Sequence, residues 1–190
     1  MSRQIKSYIT PEEYLALERK ADYRSEYLHG EIFAMTGASR EHNIIATNIV
    51  ISLGNQLKGR PCELYVNEMR VKVDAVGLYT YPDVAVVCGE PELEDKYVDT
   101  LLNPTVLIEI LSKSTERYDR IAKSDYYRRL PSLAEYLLVA QEQYRVEQYN
   151  RQSDGHWLLT ETQSLEGVVD LQSINCSLAL RDVYDKVSPL

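Results

Sequence analysis

The chain has 190 residues, 44% hydrophobic and 26% charged, which is the balance of a globular protein with room for one domain and its core. Its 29 acidic and 21 basic side chains leave a formal net charge of −8, which excludes coating of nucleic acid by bulk positive charge but not a local basic face. No run of about 18 apolar residues exists to span a membrane. Met1-Ser2-Arg3-Gln4-Ile5-Lys6 lacks the apolar stretch of a signal peptide. Cys62, Cys88 and Cys176 are odd in number and widely spaced, without a Cys-x-x-Cys. They predict neither a disulfide framework nor a structural zinc site, and a cytoplasmic location.

Thr10-Pro11-Glu12-Glu13 predicts a helix to about Lys20, with Thr10 as N-cap and acids facing the helix dipole. Residues 24–35 alternate as a strand pair bent at His29-Gly30. Ser39 caps a second helix whose inner stripe is Ile44, Ile45, Asn48, Ile49, Ser52 and Leu53, and Gly59 ends it. Residues 62–73 are β-like, and short apolar strands follow around 83–88 and 106–111. The stretch 89–104 is acidic and loop-like. A third helix is expected over 115–130, closed by Pro131. Strands are expected near 136–139, 145–149 and 157–161, with an Asp154-Gly155 turn between the last two, and a short terminal helix over 178–187. Continuous apolar strands such as Val84–Val87 and Val106–Ile108 predict a mixed sheet buried on both faces and flanked by helices, an α/β (α+β) domain over 1–190.

Two of these strands carry a carboxylate. Tyr81-Pro82-Asp83-Val84-Ala85-Val86-Val87 opens on Asp83, and Val106-Leu107-Ile108-Glu109-Ile110-Leu111-Ser112 encloses Glu109. An unpaired buried carboxylate costs several kcal/mol, so such groups are paired, protonated or bound to metal. Two on neighbouring strands can share a divalent cation, with the carbonyl of Ile110 as a third oxygen, which points to metal-dependent phosphodiester hydrolysis. The competing readings are structural. Asp83 can cap a turn, Glu109 can pair with Arg70, Lys72 or Arg120, and Arg70 can instead meet a phosphate.

Pro-Asp followed by Ile-Glu-Ile-Leu-Ser resembles the PD-(D/E)XK nuclease superfamily, and more closely its Uma-type restriction-endonuclease-like family. Tyr27-Leu28-His29-Gly30-Glu31-Ile32, Gly37-Ala38-Ser39-Arg40-Glu41-His42-Asn43, the stretch 112–120 with Lys123, and Tyr126-Tyr127-Arg128-Arg129-Leu130-Pro131-Ser132 extend the resemblance over nearly the whole chain. It implies a restriction-endonuclease-like core with an extra C-terminal β region. It also implies a Mg²⁺-dependent DNA endonuclease (Mn²⁺ suits the same oxygens) that holds the ion on Asp83, Glu109 and Ile110. The superfamily's lysine, two residues after the Glu, is here Leu111. The resemblance implies a migrated lysine: first Lys123, bordering the apolar stripe of Tyr118, Ile121, Ala122 and Tyr126, then Lys113. The alternative for Lys123 is an exposed pair with Asp119. Glu41 is a further candidate acid, and His42 a partner for a site carboxylate, against the plainer roles of helix-dipole partner and structural histidine. A homodimer through tyrosine-rich strands is expected. The second functional reading is a nuclease-fold module that binds nucleic acid or protein without turnover, favoured by Leu111 and the net charge.

Overall fold

The computed structural model describes residues 8–35, 37–112 and 116–188. Helix α1 (Pro11–Glu18) starts with a reciprocal cap: Thr10 Oγ1 accepts from the Glu13 N–H, and Glu13 accepts from the Thr10 N–H at 2.8 Å. Strands β1 (Ser25–Leu28) and β2 (Glu31–Ala34) form a hairpin turned by His29 and Gly30, both at positive φ, which suits the twist of a two-residue turn. Helix α2 (Arg40–Leu57) is capped by Ser39 and buries Ile45, Ala46, Ile49, Leu53 and Leu57. The predicted stripe members Ile44, Asn48 and Ser52 are half-buried flanks.

The strands continue as β3 (Cys62–Val66), β4 (Arg70–Val73), β5 (Leu78–Thr80), β6 (Val84–Cys88), β7 (Thr100–Leu101) and β8 (Val106–Leu111). A helical stretch over 116–127 follows. It consists of α3 (Glu116–Tyr118), a π-helical turn (Asp119–Lys123) and α4 (Ser124–Tyr127). Then come β9 (Glu135–Ala140), β10 (Val146–Arg151), β11 (Trp157–Thr162), β12 (Val168–Leu171), β13 (Cys176–Ala179) and α5 (Leu180–Val183).

Among the described residues three sheets result, mixed α+β in class and flanked by helices. A six-stranded sheet runs β11-β10-β9-β8-β6-β3, with β8 and β9 parallel and the other pairs antiparallel. A five-stranded sheet runs β2-β1-β5-β4-β7, and β12-β13 form a hairpin. Side chains of β8 alternate between two cores, as strand geometry requires. Val106, Ile108 and Ile110 pack towards α2, α5 and the β12-β13 hairpin. Leu107 and Leu111 pack towards the five-stranded sheet and Tyr127. Glu109 shares this second side, so the fold carries a carboxylate into a core. A smaller cluster joins α1 to the five-stranded sheet through Tyr14, Tyr27 and Tyr79.

Tyr14, Tyr27, Tyr79, Tyr127 and Tyr136 are buried with their hydroxyls satisfied. Tyr14 donates to the Ser25 carbonyl, Tyr27 to that of Ile9, Tyr79 to Glu94, Tyr127 to Glu109 and Tyr136 to the Asp119 carbonyl.

Three expectations are corrected. Cys62 and Cys88 form a disulfide, because the antiparallel register of β3 and β6 sets them directly opposite, which wide sequence spacing hides. The predicted terminal helix is strand β13 before the four residues of α5, because 176–179 pair with β12. The apolar stripe of the third helix is not its buried face: Tyr118, Ala122 and Tyr126 are only half-buried. Ile121 is 63% exposed, while Asp119, Lys123, Ser124 and Tyr127 are buried.

Candidate active site

Asp83 follows Pro82, which holds Tyr81 extended, and immediately precedes β6. The antiparallel register of β6 and β8 pairs Val84 with Ile108. Carried one residue further, it brings Asp83 beside Glu109. Oδ2 of Asp83 accepts the backbone N–H of Ile110 at 2.7 Å, and Oδ1 lies 2.8 Å from Nε2 of His42, in the first turn of α2. The histidine expected to bond a site carboxylate therefore meets Asp83.

Glu109 is 5% exposed. Its Oε1 accepts from Lys123 Nζ at 3.1 Å and from the Tyr127 hydroxyl at 2.8 Å. Burial pushes the Glu109 carboxyl up to about 8; Lys123 acts against this, and Asp119 and Asp83 add to it.

Lys123 enters from the π-helical turn and is as buried as Glu109. Its ammonium lies 2.8 Å from Glu26, 3.1 Å from Glu109 and 3.6 Å from Asp119. Burial disfavours the charge, but the carboxylates, Glu109 foremost, outweigh it and hold the ammonium well above its ordinary value. The i−4 pair with Asp119 exists, but in the interior and not on the solvated face. A π-helical turn at such a place is a known habit of functional sites.

The other candidates separate. Glu41 lines the same cleft, about 1140 Å³ in volume, as Glu26, His42, Asp83, Glu109 and Lys123. Its ion pair is with the neighbouring Arg40 at 3.3 Å. Lys113 lies outside the described residues. Arg70 does not reach the cleft: it is buried and committed to Thr100, Tyr81 and Asp99, so it neither presents to a phosphate nor pairs with Glu109. Arg120 pairs with Glu116 at 2.9 Å and with Glu147. Lys72 pairs with Asp74 and Glu94, each at 2.7 Å. None of the three cations offered as a structural partner seals Glu109.

Three site residues escaped the sequence. Glu26 looked like one step of an alternating strand, Asp119 like a surface charge, and Tyr127 stood only within the stretch 126–132 that extends the resemblance. A helix carrying Asp119, Lys123 and Tyr127 four residues apart was the available signal, since that spacing puts all three on one face.

A mixed sheet bringing two carboxylates from adjacent strands to a buried lysine at the foot of an open cleft defines a protein of nuclease-like fold. Residues 11–181 match the family Uma2, described as "Putative restriction endonuclease", and the chain belongs to that family. Two proteins of Synechocystis sp., both described as uncharacterized, are similar to it. One is 39% identical over 153 residues, covering 80% of this chain and 86% of that protein. The other is 34% identical over 176 residues, covering 93% and 91%. A crystal structure from Anabaena variabilis, described as a putative nuclease, shares the fold. Its TM-score is 0.74 at 20% identity, over 92% of this chain and 97% of that one.

Proposed function

We propose that the protein is a metal-dependent endodeoxyribonuclease that hydrolyses phosphodiester bonds at Asp83, Glu109 and Lys123. The observation that carries this reading is the 3.1 Å approach of Lys123 to Glu109, beside an Asp83 bonded to the next residue's N–H. Leu111, at the superfamily's lysine position, is packed in the core, and the ammonium arrives from the helical stretch instead.

The donor set fits a hard divalent cation. Glu109 engages both its partners through Oε1, and its Oε2 accepts no hydrogen bond among the described residues. Asp83 takes one hydrogen bond on each oxygen and keeps a lone pair on both. No group of three or more His, Cys, Asp or Glu poised for a metal occurs among the described residues. Two carboxylates, the Ile110 carbonyl and water are the habit of Mg²⁺, and Mn²⁺ accepts the same oxygens. Bound there, such an ion supplies positive charge against the phosphate.

The chain's own residues do the rest. His42 and the Ile110 N–H fix the orientation of Asp83. Lys123, held as an ammonium, has three donors and no acceptor, so it cannot take a proton from water. It positions the attacking water, whose proton leaves to solvent in the open cleft, and offsets charge developing on the phosphate. Glu41, on the cleft wall, is the outer acid. The reading includes duplex DNA as substrate and a homodimer that offers one site to each strand; the Cys62–Cys88 disulfide removes the cysteine argument for a cytoplasmic location.

The test is cleavage of supercoiled plasmid with Mg²⁺, Mn²⁺ or EDTA by the wild type, Asp83→Ala and Glu109→Ala. Metal-dependent nicking lost in both variants is expected. Cleavage undiminished in the variants removes the assignment. The second reading, a binding module without turnover, is favoured by the acids Glu26, Glu41, Asp119 and Glu142 on the cleft walls, which repel a polyanion. Absence of both nicking and plasmid binding by the folded wild type, under either metal, would select it as a protein-interaction module.

A further inference from the structure

Glu26 reaches the site from the five-stranded sheet, whereas Glu109 belongs to the six-stranded one and Asp83 immediately precedes its strand β6. Its Oε1 stands 2.8 Å from Lys123 Nζ, closer than the 3.1 Å between that lysine and Glu109. Thr80, on the adjacent strand β5 and fully buried, donates its hydroxyl to the same Oε1 at 2.5 Å. The Thr80 hydroxyl lies 3.4 Å from that of Tyr127, and Tyr127 donates to Glu109. Glu109, Lys123, Glu26, Thr80 and Tyr127 therefore form a buried ring of contacts across the gap between the two sheets, hydrogen-bonded except between the Thr80 and Tyr127 hydroxyls, whose protons are committed to Glu26 and Glu109.

The ring gives Glu26 a task. Lysine carries a long stem with several rotatable bonds, and its compact charge must be held in place. In the ring two carboxylates hold it. When a divalent cation shares Glu109, the ammonium loses much of one attraction and faces a like charge. Glu26 is not among the groups to which the nuclease reading assigns the ion, and Thr80 fixes the oxygen it turns to the lysine.

We propose that Glu26 is a positioning residue for Lys123: it anchors the ammonium beside the reacting phosphate while Glu109 serves the cation. The inference rests on the nuclease reading and goes beyond it by assigning an anchor in a different sheet. It acts on the lysine alone, so the chemical step should suffer while binding of metal and DNA does not.

The experiment is steady-state nicking of supercoiled plasmid in Mn²⁺, with Mn²⁺ affinity measured by calorimetry. The proteins are the wild type, Glu26→Gln, Lys123→Met, the double variant and Thr80→Val. Glu26→Gln should lower kcat about 100-fold, the scale of misplacing a catalytic group by an ångström, with KM and Mn²⁺ affinity unchanged. The double variant should be no slower than Lys123→Met alone, because both remove the same function. Thr80→Val, which keeps the side chain's shape, should show a smaller loss of kcat in the same direction, and it carries the test if Glu26→Gln fails to fold. Wild-type kcat in a folded Glu26→Gln, losses that multiply in the double variant, or weakened Mn²⁺ binding would each overturn the proposal while leaving the nuclease reading in place. A wild type that neither nicks plasmid nor binds Mn²⁺ would overturn both.

Discussion

Replacing Lys123 with Met removes the ammonium that Glu26, Glu109 and Asp119 share while keeping most of the stem's volume. The lysine side chain is 7% exposed, and the three carboxylates are 11%, 6% and 4% exposed, so water compensates little of the loss. Deleting one partner of a buried ion pair costs about 3–5 kcal/mol. In a chain of this size each kcal/mol moves Tm by about 2–4 °C, so a fall of about 6–20 °C is expected at pH 8. The pH dependence is diagnostic. The wild-type lysine has a raised value, so its own titration adds no pH dependence below the ordinary ammonium value of about 10.4. In the variant Glu109 loses its main counter-charge, and its folded value, already raised, rises further above the unfolded one. A carboxyl raised in this way destabilises the fold as pH climbs from its unfolded towards its folded value. The deficit should therefore be small near pH 5 and largest near pH 9. Circular-dichroism melts in EDTA across that range measure it. A loss below about 2 °C, flat with pH, would refute the reasoning.

His42→Ala should weaken Mn²⁺ binding about 10- to 100-fold, the cost of losing a partner that orients a ligand, and calorimetry against the wild type checks it. Arg19 holds Asp99 well below the usual carboxylate range, and Arg70 adds to this. That stability is present above the ordinary value of about 3.9 and is lost as pH falls towards the folded one. Wild-type Tm should accordingly drop more steeply than that of Asp99→Asn between about pH 5 and pH 3, and parallel melting curves would refute the pairing. Reducing the Cys62–Cys88 disulfide, which spans a sequence separation of 26, should cost about 2–4 kcal/mol, read from melts with and without reductant.

What the sequence disclosed followed from period and punctuation. Thr10 and Ser39 announced their helices, and the apolar runs around Val84 and Val106 announced strands buried on both sides. A carboxylate inside such a run is conspicuous, so Asp83 and Glu109 stood out. Glu26 did not, because a charge in an alternating strand is ordinary until a second sheet closes over it. The helix over 116–127 misled for the opposite reason. Periodicity assumes that apolar residues turn inward, yet Asp119, Lys123 and Tyr127 turn inward to serve Glu109, and Ile121 is left in water. The disulfide depended on strand register, which no local pattern of cysteines contains.

The tyrosine-rich interior gives the molecule an alkaline ceiling and its own optical gauge. The chain has 15 Tyr against one Phe and one Trp. Burial lifts the phenols of Tyr14, Tyr79, Tyr127 and Tyr136 above their ordinary value. A phenol that keeps its proton longer when folded favours the unfolded chain once pH passes about 10. These rings cannot ionise one at a time at the surface; they become phenolates together as the cores open. A cooperative step in near-ultraviolet phenolate absorbance therefore reports collapse of the fold, with no added dye.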